Sequence, residues 1–170
     1  LFNKDSFELL KHFKEIDDFY YDSLSYSKGY IFAINENGLE EYKGKILKQS
    51  IIDYSHSFIK AFENGWVEGY EILEDNTIIC YSNDALESGG SVLRIIDSNK
   101  NKVIFEIQFA HIIISLCLSE NKSFLALLFN DCDVLIYRIN NCELDLAKQF
   151  QYAKLIQTDY DLTPIHHYTP

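Results

Sequence analysis

Short apolar runs separated by turn residues make up most of this chain, and their lengths predict strands rather than helices. Residues 30–34, residues 77–81 and Phe124–Phe129 are each rich in β-branched and aromatic side chains, which favour extended backbone. Runs of roughly four to eight residues suit buried strands, whereas a buried helix takes about ten residues or more. In Lys102–Phe109 every second residue is apolar, as in a strand with one face on a core. The pattern therefore predicts an all-β fold.

The apolar runs recur at a constant interval along the sequence. Ile31, Ile78 and Leu125 occupy equivalent positions in three units, and both intervals between them are 47 residues. In each unit a strand precedes the run, and a turn and two further strands follow it. A period of about 45 residues with four short strands is typical of a β-propeller blade. We therefore predict blades of four antiparallel strands.

The repeat predicts about three full blades and parts of two more. Residues 6–13 read as the last strand of an earlier blade, or as an amphipathic helix, and residues 155–162 as the first strand of a later one. Three blades cannot close a ring, because propellers have about four to eight blades. Independently, the sequence contains no Met, which is expected of a fragment or a processed chain. We expect residues 1–170 to form an incomplete propeller, completed by further chain or by a partner. The units span about 20–50, 66–109 and 112–150, with an insertion at 51–65.

The first unit contains the strongest turn signal. Asn37-Gly38 predicts a tight hairpin turn, so that residues 39–42 and Lys45–Ser50 would be the third and fourth strands. In the insertion that follows, Ser55 or Ser57 could cap a short helix that runs towards Asn64-Gly65.

The charge balance limits the classes of partner. The chain has 15 basic and 26 acidic residues, a formal net charge of −11, and only two arginines. A general nucleic-acid binder needs a basic face, so nucleic acid is not an expected partner. An acidic protein attracts basic partners instead. We therefore expect protein partners.

Cysteine usage predicts no metal or redox centre. The four cysteines form no CxxC pair. Cys80 and Cys117 lie in apolar runs, which predicts buried thiols, whereas Cys132 and Cys142 could meet across a hairpin. No secretory signal pattern precedes them, so we expect four reduced thiols in a cytoplasmic chain.

The third unit resembles a blade of the WD-repeat family. Ala110-His111 stands where that family has Gly-His, Asp131 stands at its turn Asp, and Tyr137-Arg138 stands where it has Trp-Asp. In that family the His, the Asp and the aromatic residue form a hydrogen-bonded network that stiffens the blade. The resemblance implies that His111, Asp131 and Tyr137 form such a network, with buried polar groups in reach of one another.

Residues 20–153 also resemble the PROPPINs, the seven-bladed phosphoinositide-binding propellers of autophagy. The lipid site of that family uses a Phe-Arg-Arg-Gly motif, and this chain has no Arg-Arg pair. If the order of motifs is the same, the lipid motif would lie beyond Pro170. Membrane lipid is therefore an expected partner only if further sequence supplies a basic site. The similar segments are Asn37-Gly38-Leu39 with Tyr42, Val67-Glu68, Ser88-Gly89-Gly90, Ile95-Ile96-Asp97, Lys102–Phe109 and Phe150-Gln151-Tyr152-Ala153.

No motif predicts catalysis, a metal or a cofactor. His166 and His167 are adjacent, so on a strand they would point to opposite faces and could not share one ion. Gly89-Gly90 lacks the spacing of a phosphate-binding loop. The sequence therefore predicts a non-catalytic interaction platform, a scaffold or subunit of a larger assembly, with a PROPPIN-type lipid adaptor as the alternative. The residues expected to contact a partner lie in irregular loops and are Trp66, Asn83, Asp84 and Glu87.

Overall fold

The computed structural model describes residue 16 and residues 19–35, 39–87 and 89–151. Within these residues there are twelve strands in three four-stranded antiparallel sheets, and in each sheet the strands lie side by side in chain order. The prediction of an all-β fold built from four-stranded units is confirmed. Sheet I contains β1 (Tyr21–Ser27), β2 (Tyr30–Asn35), β3 (Lys45–Ser50) and β4 (His56–Lys60); sheet II contains β5 (Gly69–Ile72), β6 (Thr77–Ser82), β7 (Ser91–Asp97) and β8 (Lys102–Phe109); sheet III contains β9 (Ile113–Leu118), β10 (Phe124–Phe129), β11 (Val134–Asn140) and β12 (Glu143–Phe150).

The chain divides into two compact units, Leu1–Ala110 and His111–Pro170. The first unit contains sheets I and II, whose facing sides share one apolar core. Strand alternation explains this core, because every second side chain of a strand points to the same face. Phe32 and Ile34 of β2 thus reach the cluster that also contains Ile78 and Cys80 of β6.

The opposite face of sheet I carries an aromatic cluster. The Phe19 ring packs edge-on against the rings of Tyr21 and Tyr42, with centroids 4.9 and 5.1 Å apart. The ring centroids of Phe58 (β4) and Tyr42 lie 5.4 Å apart, and Leu47 of β3 completes the cluster. Sheet I is therefore apolar on both faces.

The structure corrects the first unit in two places. Residues predicted as a strand form a 3₁₀ helix, Glu40–Tyr42, and the helix predicted in the insertion is instead β4. The unit therefore reaches Lys60 rather than residue 50. The physical reason lies in Phe58 and Ile59, which enter the aromatic cluster and the inter-sheet core respectively. Neighbouring residues reach opposite faces only in a strand.

The second unit contains sheet III, whose predicted strands match the structure closely. Phe124–Phe129 has the predicted bounds, and Leu125, Leu127 and Phe129 are buried. Several predictions lie outside the described residues: the turn at 37–38, the elements at 6–13 and 155–162, and His166 and His167.

Candidate interaction surface

Three loops meet at one end of sheets I and II. The carbonyl of Gly44 accepts hydrogen bonds from the backbone N–H groups of Ala61 and Phe62, and this joins the β2–β3 loop to the β4–β5 loop. The backbone N–H of Trp66 donates to Asp84 Oδ1 at 2.7 Å, which joins the β4–β5 loop to the β6–β7 loop. We call residues 39–44, 61–68, 83–87 and 89–90 together the loop surface.

Asp84 and Asn83 hold the β6–β7 loop in place. Besides the Trp66 N–H, Asp84 Oδ1 accepts a hydrogen bond from Ser82 Oγ at 2.9 Å. Asn83 Oδ1 accepts one from Ser91 Oγ at 2.6 Å. Since these oxygens already bind the scaffold, both residues shape the loop surface. Asp84 and Glu87 are exposed, and Asn83 is half-buried.

Trp66 is half-buried and is the largest aromatic side chain of the loop surface. The Lys43 ammonium lies 5.8 Å from the centroid of its ring, within the range of a cation–π contact. A tryptophan that keeps part of its ring accessible is a common anchor in protein interfaces. The position therefore suits the predicted role of Trp66 in partner contact, which stays a prediction.

The loop surface is acidic. Its described residues include six carboxylates, those of Glu40, Glu41, Glu63, Glu68, Asp84 and Glu87, and one lysine, Lys43. Lys43 itself pairs with Glu40, at 3.4 Å. Glu68 is exposed, but partial desolvation raises the pKa of its carboxyl, and the negative charge of Asp84 raises it further. These two carboxylates repel one another, so a cation brought near them relieves repulsion.

The loops at the other end of these two sheets have a more even charge. These loops contain two lysines and three carboxylates in total; they are residues 28–29, 51–55, 73–76 and 98–101. One of the carboxylates, Asp53, accepts hydrogen bonds from Ser55. The acidic excess of the first unit therefore concentrates on the loop surface.

In sheet III the structure brings two of the three residues of the WD-like network together. His111 Nδ1 lies 3.2 Å from Asp131 Oδ2, with the two side chains 61% and 39% exposed. Tyr137 is buried in β11, and burial raises the pKa of its hydroxyl. The expectation that His111 and Asp131 are buried is wrong, because His111 precedes β9 and Asp131 lies in a turn. A role for the three as one network stays a prediction.

The cysteines are free thiols, but two of their expected positions are wrong. Cys80 is buried as predicted, and burial raises its pKa to about 12, which keeps the thiol protonated and inert. Cys117 is exposed because it lies on the less covered face of sheet III, opposite Ala126. Cys132 and Cys142 lie in turns at the two ends of β11, so a seven-residue strand of roughly 20 Å separates them.

Three polar residues that the sequence analysis did not single out connect sheet I to sheet II. The Tyr70 hydroxyl donates to the carbonyls of Ser23 and Phe32. Arg94 Nη1 donates to the Ala61 carbonyl at 2.6 Å, and Lys48 Nζ donates to Asn99 Oδ1 at 2.8 Å. Arg94 interrupts the apolar run of β7, and that interruption was the available sequence signal. Lys48 lies in a strand with four polar residues out of six, so no such signal was available for it.

The described residues contain neither a cluster of metal ligands nor a membrane-crossing helix. These residues contain no group of three or more His, Cys, Asp or Glu side chains that could hold a metal ion. They also contain no helix that is long and apolar enough to cross a membrane.

Comparison with solved structures identifies the fold. A chain in a Saccharomyces cerevisiae complex of a Dbp5 variant with Nup159, a Gle1 variant, IP6 and ADP has a TM-score of 0.60 and 16% identity, over 92% of this chain and 37% of that one. The β-propeller domain of Myceliophteria thermophila Cps50 (Swd1) has a TM-score of 0.58 and 12% identity, over 76% and 46%. Kluyveromyces lactis Hsv2 has a TM-score of 0.52 and 16% identity, over 69% and 37%.

These likenesses show that the sheets are blades of a β-propeller fold. The chain spans less than half the length of each of these three structures. Three sheets are also fewer than the roughly four to eight blades of a closed propeller. No protein-family model matches the sequence, and no curated protein sequence matches it.

Proposed function

We propose that this chain is part of a non-catalytic β-propeller that serves as a protein-interaction platform, and that the loop surface binds a basic segment of a partner. The observation that carries the proposal is the convergence of three loops that together carry six carboxylates and the half-buried Trp66. The propeller neighbours support the general role, since propellers present loops to partners from a rigid scaffold.

The physical argument combines charge with an aromatic anchor. Carboxylates on one surface raise the association rate of a cationic segment and select against acidic partners. Trp66 would supply apolar contact area, and its ring face can accept an arginine or lysine side chain. Asp84 already binds the backbone N–H of Trp66, so the loop that carries the indole side chain is fixed before a partner arrives, which lowers the entropy lost on binding.

Binding of a fluorescent lysine- and arginine-rich peptide, measured by anisotropy at several salt concentrations, tests the proposal. We expect the double variant Glu63→Gln/Glu87→Gln and the variant Trp66→Ala each to weaken binding at least about tenfold. The matched control is Glu74→Gln/Glu120→Gln, which removes the same charge from exposed positions elsewhere and should change affinity less than about twofold. Equal losses in both double variants would show that only net charge matters and would contradict the proposal.

A lipid-binding propeller of the PROPPIN type, acting in autophagy, is the second candidate, and the likeness to Hsv2 favours it. The two arginines of this chain, Arg94 and Arg138, lie in different sheets. Each basic residue near an anionic surface contributes about 1 kcal/mol to membrane binding. We therefore expect residues 1–170 not to sediment with phosphoinositide-containing vesicles. Salt-sensitive sedimentation of this chain with such vesicles would favour the lipid adaptor instead.

A further inference from the structure

Lys43 is the single cation among the described residues of the loop surface, and its side chain lies along that surface. The Lys43 side chain is 31% exposed, whereas that of Lys100, in the β7–β8 turn, is 77% exposed. The Lys43 ammonium lies 5.8 Å from the centroid of the Trp66 ring and 3.4 Å from Glu40 Oε1. A positive charge of this chain therefore already occupies an aromatic face and a carboxylate that would attract a cationic partner.

The local backbone explains this placement. Lys43 follows the 3₁₀ helix Glu40–Tyr42, and its backbone N–H donates to the Glu40 carbonyl at 3.2 Å. A 3₁₀ helix has three residues per turn, so side chains three positions apart lie on the same side. On one flank Tyr42 is buried in the aromatic cluster of sheet I, and on the other the Gly44 carbonyl binds two N–H groups of the β4–β5 loop. Lys43 is thus anchored on both flanks, next to the loop that carries the tryptophan.

We infer that Lys43 is an internal substitute for the partner, and that the residue which displaces it from Trp66 and Glu40 is an arginine of the bound segment. The inference rests on the proposed function and names the partner residue that this part of the loop surface selects. Exchanging the Lys43 ammonium for a partner's lysine replaces like with like. An arginine gains, because its planar guanidinium stacks on an aromatic ring and forms two parallel hydrogen bonds with a carboxylate.

The contact that must open is weak enough for a partner to open it. Glu40 is 79% exposed, and ion pairs at the surface contribute little. The distance from the Lys43 ammonium to the ring is close to the limit of about 6 Å for a cation–π contact. A site that is closed for part of the time binds its ligand more weakly, in proportion to the open fraction. Removing the Lys43 charge should therefore strengthen binding about threefold.

Anisotropy titrations with two fluorescent peptides of equal length and charge, one rich in arginine and one rich in lysine, test the inference. They are made at about 0.15 M salt, where the Debye length of about 8 Å limits the effect of distant charges. We expect the wild type to bind the arginine peptide at least about threefold more tightly. Lys43→Met should tighten binding of both peptides about threefold, because the site no longer has to open. Lys43→Arg should tighten neither, since it keeps a cation on the ring.

Lys100→Met is the matched control. Lys100 also pairs with an acidic residue three positions earlier, Asp97 at 3.1 Å, but it lies at the other end of the two sheets. The substitution removes the same charge and should change either affinity less than about 1.5-fold at this salt concentration. Equal gains in Lys43→Met and Lys100→Met would overturn the inference. Equal affinity of the wild type for the two peptides would overturn it too.

A double-mutant cycle separates the inference from the proposed function. If Lys43 acts by covering the Trp66 ring, Lys43→Met should have no more effect than Lys100→Met in a Trp66→Ala background. The same gain with and without the tryptophan would contradict the inference. Where the inference fails but Trp66→Ala alone still weakens binding at least about tenfold, the proposed function stands. Absence of peptide binding by both the wild type and Lys43→Met would overturn both.

Trp66 fluorescence gives a readout that needs no partner, because the chain has one tryptophan. Lys43→Met should change the emission of Trp66 in the free protein, whereas Lys100→Met should leave it unchanged. Identical emission from the wild type and both variants would show that Lys43 does not lie on the ring in solution, and would overturn the inference.

Discussion

Replacing Tyr70 with phenylalanine removes one hydroxyl that connects sheet II to the backbone of sheet I. The single proton of this hydroxyl is shared between the carbonyls of Ser23 and Phe32, the latter at 2.8 Å. The pairing of β1 with β2 is irregular between Asp22 and Ser25, so the Ser23 carbonyl lies outside the regular ladder. Tyr70 thus provides a donor where the sheet itself provides none.

The expected loss can be worked from these contacts. Tyr70 is only 8% exposed, and phenylalanine keeps its ring, so no cavity forms. What remains is the loss of a donor from the buried Phe32 carbonyl and the part-buried Ser23 carbonyl, and leaving a buried acceptor without its donor costs about 1–3 kcal/mol. We expect Tyr70→Phe to lower the free energy of unfolding by that amount at pH 7.

The pH dependence gives an independent check. Burial raises the pKa of Tyr70 to about 12, whereas an unfolded tyrosine titrates near pH 10. Between about pH 10 and 12 the unfolded chain has lost this proton and the folded chain still holds it, so wild-type stability falls as the pH rises. The variant lacks the group, so the difference between the two proteins should shrink by up to about 3 kcal/mol.

Urea unfolding of both proteins, followed by far-UV circular dichroism at pH 7 and at alkaline pH, measures both effects. Tyr26→Phe is the control, since Tyr26 is 61% exposed, and it should change stability by less than about 0.5 kcal/mol. A Tyr70→Phe protein as stable as the wild type at pH 7 would refute the reasoning. So would a difference between the two proteins that does not change with pH.

Three further predictions concern the blade assignment and one close approach of the backbone. Leu125→Ala should cost about 2–5 kcal/mol in urea unfolding, because Leu125 is fully buried and its truncation opens a cavity; a loss below about 1 kcal/mol would contradict its assignment to the core. His111→Ala should cost less than about 1 kcal/mol by the same measurement, because its contact with Asp131 is exposed, and a larger loss would indicate a buried network. Gly44→Ala should lower the melting temperature more than Gly89→Ala does. Both glycines have positive φ, but a Cβ at Gly44 would lie 2.3 Å from the Phe62 carbonyl oxygen, whereas at Gly89 it meets open space; equal shifts would assign the effect to φ alone.

Much of the fold follows from local sequence. The period of 47 residues and the alternation in Lys102–Phe109 predict four-stranded units, because strand formation depends on neighbouring side chains and on the turns between them. The same reasoning failed at β4. There Phe58 and Ile59 also fit a short helix, and the choice depends on two cores that form on opposite faces of sheet I.

The candidate site, like the fold, was predicted from the sequence only in part. The sequence by itself identified the irregular loops, the acidic excess and the residues Trp66, Asn83, Asp84 and Glu87. Only the tertiary structure decided that Asp84 binds the Trp66 backbone, that the His111 pair is exposed and that Cys117 lies on an uncovered face. The physical reason is that periodicity fixes which side chains share a face of a strand, whereas burial depends on whichever element covers that face, and distant parts of the chain supply it.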